Sequence, residues 1–122
     1  MRNHNIGPKR LVVGAHYGLK DWLAQRVTAL VMLVFTFIFL ILFFAGNEFS
    51  YDSWKDLFSG QFFKLISFVT LLGLGYHAWV GMRDIWMDYV KSVSIRLALQ
   101  IITILWLVAC TGWAIQILWQ VQ

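Results

Sequence analysis

Three long apolar runs divide the chain: Val27–Gly46, Leu65–Met82 and Leu97–Val121. The first contains no charge. Lys64 and Arg83 bracket the second, and Arg96 opens the third, after which no charge follows. At a rise of about 1.5 Å per residue, roughly 20 residues cover the 30 Å of a bilayer core. Backbone polar groups in lipid must be satisfied within the segment, and no run alternates strictly in polarity. Each run therefore predicts a transmembrane helix and not a strand. The expected fold class is an all-α membrane protein with three transmembrane helices. It forms a single anchor domain over 1–122, with a leader at 1–26 and spans at about 27–46, 65–82 and 97–121. The stretch 47–63 is mildly acidic and amphipathic, and is expected to lie at the membrane interface. Three helices with few small polar residues make a poor stand-alone machine, so a partner subunit is expected to complete a heteromeric bundle.

Composition supports this picture. Hydrophobic residues make up 60% of the chain and charged residues 13%, against about 25% charged in an average soluble domain. The net charge of +4 is carried at the span flanks. It reads as a topology signal facing membrane lipid, not as a nucleic-acid surface. The leader holds Arg2, Lys9, Arg10, Lys20 and Arg26, and the second loop holds Arg83, Lys91 and Arg96; the first loop has only Lys55 and Lys64. The positive-inside rule then predicts a cytoplasmic N-terminus and second loop, with the first loop and C-terminus on the other side. No apolar stretch directly follows the first basic residues, and the first long run is too long for a signal peptide. The leader is not rich in Ser and Arg, which points to a bacterial inner membrane and away from an imported organelle protein. Trp22, Trp54, Trp86 and Trp119 fall near span ends, as an interfacial belt requires. Trp79, Trp106 and Trp113 lie deeper and are expected to pack against other helices or a ligand. The lone Cys110 cannot form an internal disulfide and reads as a small packing residue.

The candidate chemistry centres on His77, an ionisable residue inside an otherwise apolar span. Such residues are costly at that depth and mark functional sites. Gly73 and Gly81, one turn to either side, share its helical face. One reading makes His77 an axial ligand of haem iron through a neutral imidazole nitrogen, on a stripe cleared for a macrocycle. The other makes it a histidine hydrogen-bonded to a neighbouring helix, with the glycines serving close packing. No second intramembrane histidine is present, and Met82 on the same helix cannot reach the opposite haem face. A second ligand must come from another chain. Arg26, at the lip of the first span, is either an anchor for an anionic group such as a haem propionate or a snorkelling topology charge. Tyr89 and Asp88 follow the second span; they could hold a quinone carbonyl, or form an ordinary helix end with Lys91. If the helix continues, Tyr89 sits roughly 18 Å along the axis from His77. Asp84 and Asp88 alone are too few for a carboxylate metal site. Phosphate loops, dinucleotide-binding glycine patterns, paired cysteines and Ser/His/Asp sets are absent from the sequence.

Two stretches carry a family resemblance. His77-Ala78-Trp79-Val80-Gly81-Met82-Arg83-Asp84, followed by Asp88-Tyr89-Val90-Lys91 and Arg96-Leu97-Ala98-Leu99-Gln100, is one; Asp21-Trp22-Leu23-Ala24-Gln25-Arg26-Val27-Thr28-Ala29 is the other. Together they resemble the small hydrophobic anchor subunits, of cytochrome b type, of bacterial succinate dehydrogenase (respiratory complex II). The resemblance implies a b-type haem ligated by His77 and by a histidine of a second, larger cytochrome b anchor subunit. It implies that Arg26 contacts a haem propionate and that Tyr89, with Asp88 close by, binds ubiquinone. It also implies soluble flavoprotein and iron–sulfur subunits that pass electrons from succinate. This chain would then anchor the assembly without itself being catalytic. A fumarate reductase anchor is the nearest alternative, and a small transporter or scaffold without haem the more distant one. The leader's His4 and His16 receive no role.

Overall fold

The computed structural model describes residues 15–46 and 49–121. The calls on Arg2, His4, Lys9 and Arg10 lie outside the described residues, as does the side chain of His16. Four helices follow one another: α1 (Ala15–Ala45), α2 (Tyr51–Ser59), α3 (Gln61–Tyr89) and α4 (Val93–Gln120). Among the described residues there is no strand. α1, α3 and α4 are long and apolar enough to cross a membrane, so the chain is a multi-pass membrane protein.

Each long helix outruns the apolar run that announced it. α1 starts at Ala15, well before Val27, and α3 covers Gln61–Tyr89 where the apolar run is Leu65–Met82. Hydropathy marks where lipid lies, whereas a helix continues until something breaks it. The only proline, Pro8, precedes all four helices. At 31 residues, α1 is about 46 Å long, beyond the roughly 30 Å hydrocarbon layer.

Four threonines inside the spans are satisfied by the backbone of their own helix, whereas the buried Ser67 hydroxyl has no partner among the described residues. Thr28 Oγ1 donates to the Ala24 carbonyl at 2.7 Å, Thr36 to Met32 at 2.8 Å, Thr70 to Ile66 at 2.8 Å and Thr103 to Leu99 at 2.8 Å. This lets a threonine sit in lipid without an orphaned donor.

α3 lies between α1 and α4 and packs on both. The bundle is inverted relative to a soluble core. Its buried positions include Lys64, Ser67 and Thr70 beside Phe63, Val80 and Leu118, while most large apolar side chains face outward. In lipid, apolar burial gives helices no reason to associate, so close packing and hydrogen bonds hold the seams. A Cβ added at Gly75 would lie 3.0 Å from Thr111 Oγ1, which marks the close approach of α3 to α4. Trp86 Nε1 donates to Thr103 Oγ1 at 3.0 Å on the same seam.

At the end remote from the leader, α2 is the expected amphipathic segment. Ser50 caps it by accepting from the Ser53 amide. Trp54 meets Phe39 and Phe43 of α1 at ring separations of 5.5 and 5.4 Å, and Phe58 meets Phe63 of α3 at 5.1 Å. Lys64 Nζ donates to the Val121 carbonyl at 2.6 Å, tying the start of α3 to the end of α4. Trp106 and Trp113, expected to pack against helices or a ligand, are 70% and 71% exposed on the outside of this chain. Cys110 is exposed as well, so it does not pack within the bundle.

Candidate functional site

α1 and α3 run antiparallel, and that register assembles the candidate site. Going from the leader end inward, Asp21 meets Arg83, Gln25 meets the turn between His77 and Gly81, and Thr28 meets His77 itself. Arg83 Nη2 lies 2.7 Å from Asp21 Oδ2 and 3.1 Å from Asp84 Oδ1. Gln25 Nε2 donates to the His77 carbonyl at 3.3 Å. Thr28 Oγ1 lies 3.0 Å from His77 Nδ1. The spacing explains the pattern: Asp21, Gln25 and Thr28 fall at intervals of four and three and share one face of α1.

His77 is half-buried. Among the described residues its Nδ1 is taken by Thr28, while Nε2 has no hydrogen-bond partner. The glycine stripe lies along the α1 seam. A Cβ at Gly73 would meet Thr28 Cγ2 at 3.9 Å, and one at Gly81 would meet Gln25 Nε2 at 3.9 Å. Both are ordinary contact distances, so the stripe leaves spare room beside the imidazole.

The other sequence candidates lie toward the leader end. Arg26 is exposed and lies over the Trp22 ring at 5.2 Å, a cation–π contact on its own helix. It has no carboxylate within ion-pair distance among the described residues. Tyr89 is the last residue of α3 and is 82% exposed; Asp88 beside it is also exposed. The Val90 amide closes the helix by donating to the Trp86 carbonyl at 3.1 Å. Within this chain, then, His77 is embedded in a seam, whereas Arg26, Asp88 and Tyr89 present free polar groups to whatever surrounds it.

Two residues of this site escaped the sequence reading. From the sequence, Thr28 and Gln25 are distinguished only as part of the opening of the first helix, yet they are the α1 side chains that touch the His77 turn. The signal available was their shared face with Asp21; the pairing to α3 needed the inter-helix register. The Gln25 Oε1 atom is buried without a partner. Two apolar cavities, of about 600 Å³ between α1, α3 and α4 and about 530 Å³ between α3 and α4, do not include His77 in their walls.

Comparison with known proteins bears on this arrangement. The family described as "Succinate dehydrogenase/Fumarate reductase transmembrane subunit" matches residues 1–111. A protein of Coxiella burnetii, the "Succinate dehydrogenase hydrophobic membrane anchor subunit", is 37% identical over 102 residues, covering 84% of this chain and 89% of the relative. The chain therefore belongs to the succinate dehydrogenase/fumarate reductase transmembrane subunit family, as a membrane anchor of the succinate dehydrogenase kind.

Proposed function

We propose that this anchor shares a b-type haem and a quinone site with a second cytochrome b anchor subunit, and helps carry electrons from succinate to ubiquinone. The observation that carries the proposal is His77: a histidine inside a span, with one ring nitrogen held and the other unpartnered. That donor set fits a haem, because iron takes a neutral imidazole through one nitrogen while the other is hydrogen-bonded. When bound, the haem supplies a one-electron site within the membrane.

The remaining residues take parts that suit their placement. Arg26 lies about two residues, or roughly 3 Å along α1, from the level of Thr28. Its guanidinium can hold a propionate at the membrane edge. Gly73 and Gly81 keep the imidazole's flanks free of side chains, so that α1 and a porphyrin edge can both come near. The Tyr89 hydroxyl donates a hydrogen bond to a quinone carbonyl, and Asp88 orients it or moves a proton. Flavoprotein and iron–sulfur subunits deliver the electrons. The flank charges support a leader and α3–α4 turn in the bacterial cytoplasm, with the C-terminus in the periplasm.

A second reading is favoured by the Thr28 bond and by the α1 side chains at the glycine stripe: His77 as a packing or proton-relay residue without haem. A fumarate reductase anchor stays within the first reading and differs in the quinone it prefers. The deciding experiment is a reduced-minus-oxidised spectrum of the complex purified through a tag on this chain. A b-type band accompanied by flavin, lost in His77→Ala, supports the first reading. A flat spectrum from intact complex, or an unchanged haem-to-protein ratio in His77→Ala, removes His77 as ligand.

A further inference from the structure

Thr28 has one hydroxyl proton and several neighbours. Its Oγ1 lies 2.7 Å from the Ala24 carbonyl and 3.2 Å from the Gln25 carbonyl. Both are acceptors only, so the proton is committed to the α1 backbone. The same oxygen lies 3.0 Å from His77 Nδ1. With its proton already donated, Thr28 can meet Nδ1 only as an acceptor. Nδ1 must then carry a hydrogen, and in the neutral ring, the form that ligates a metal, Nε2 holds the lone pair. The reverse arrangement would set Oγ1 against the Ala24 carbonyl at 2.7 Å with no proton between them.

We infer that Thr28 is a positioning residue that fixes the His77 tautomer, holding Nδ1–H and presenting Nε2 as an electron-pair donor to a metal. The backbone supports the device from two sides. Gln25, one turn earlier on α1, donates to the His77 carbonyl and so holds the α3 turn carrying the ring. Gly73 and Gly81 flank the ring on the same seam, with Thr28 and Gln25 as their nearest α1 neighbours. Hydrogen bonds from the second ring nitrogen of a metal-bound histidine orient the ring and raise its basicity. A hydroxyl whose proton is already spent serves this purpose in lipid, where a carboxylate would be costly to bury.

The inference rests on His77 as the iron ligand, and the test separates the two. Thr28→Val, Thr28→Ala, Thr28→Ser and His77→Ala would be prepared in the assembled complex. Haem content, haem midpoint potential and the low-spin signal of the oxidised haem would be recorded for each. Removing the acceptor makes the imidazole a weaker donor. The potential should rise in Thr28→Val and Thr28→Ala, with haem affinity reduced about tenfold. Thr28→Ser keeps the oxygen and should restore wild-type potential and spectrum. Loss of stability alone would not return the potential with serine while changing it in both other variants. If His77→Ala loses haem but the potential is unchanged in either acceptor-less variant, the Thr28 role falls and the ligand assignment stands. If His77→Ala keeps its haem, the ligand assignment falls, and the Thr28 role with it.

Discussion

The two halves of the α1–α3 seam are held by different chemistry. Toward the leader end the contacts are polar and specific: Asp21 to Arg83, Gln25 to the His77 carbonyl, Thr28 to the His77 ring. Toward the far end they are aromatic: Phe35 on Phe63 at 5.7 Å, beside Phe39 and Phe43 of α1, which pack against Trp54 of α2. Aromatic packing tolerates a range of ring angles, here from 29° to 67° between helices. Hydrogen bonds do not tolerate a comparable range, because they weaken steeply with distance and angle. The half that must hold an imidazole in one orientation is the half built from directional contacts. The other half only has to keep the helices together and seat α2.

Substitutions put that contrast to the test. The largest effect is expected at the centre of the directional half: His77→Ala should lower haem bound per complex by tenfold or more, measured by the haem-to-flavin ratio. Next comes Trp54→Ala in the aromatic half. It should loosen α2 by about 2 kcal/mol, read as faster limited proteolysis within Tyr51–Ser59, with the haem spectrum unmoved. If the haem spectrum shifts as well, the halves are not independent. The α3–α4 seam offers an internal standard. Gly75→Ala forces a methyl to 3.0 Å from Thr111 Oγ1 and should cost about 1–3 kcal/mol of stability in detergent. Gly73→Ala adds a methyl at 3.9 Å from its nearest neighbour and should be close to neutral for helix packing. A selective loss of haem in Gly73→Ala or Gly81→Ala, with stability retained, would place the macrocycle on the stripe. A small effect is also expected at the rim. Asp21→Asn should cost less than about 1 kcal/mol, because both partners are partly exposed, and the loss should shrink further at high salt.

How far the chain could be read in advance differed by level. The spans were legible because uncharged runs of this length have few other uses, and α2 because Trp54, Leu57 and Phe58 alternate with charges at helical spacing. Helix ends were not legible: nothing in the composition distinguishes a helix in lipid from its continuation into water. His77 stood out as a single anomaly against an apolar background. Its partners did not, because a threonine and a glutamine at a span's edge are unremarked until the opposing helix is set in register. The facing of Trp106 and Trp113 was not legible for a related reason. Depth along a helix can be counted from the sequence, but facing cannot be settled in a bundle whose outer surface is as apolar as its interior. Their outward placement is what a subunit that meets further helices would show.

The ties from Asp21 and Thr28 to α3 lie seven residues apart, close to two turns and roughly 10 Å of depth. The outer tie is an ion pair within reach of dissolved salt and headgroup charge; the inner one is a neutral hydrogen bond that salt does not screen. The seam can therefore fray from its water-facing edge and close again while the ring stays clamped, like a zip whose lower teeth remain engaged.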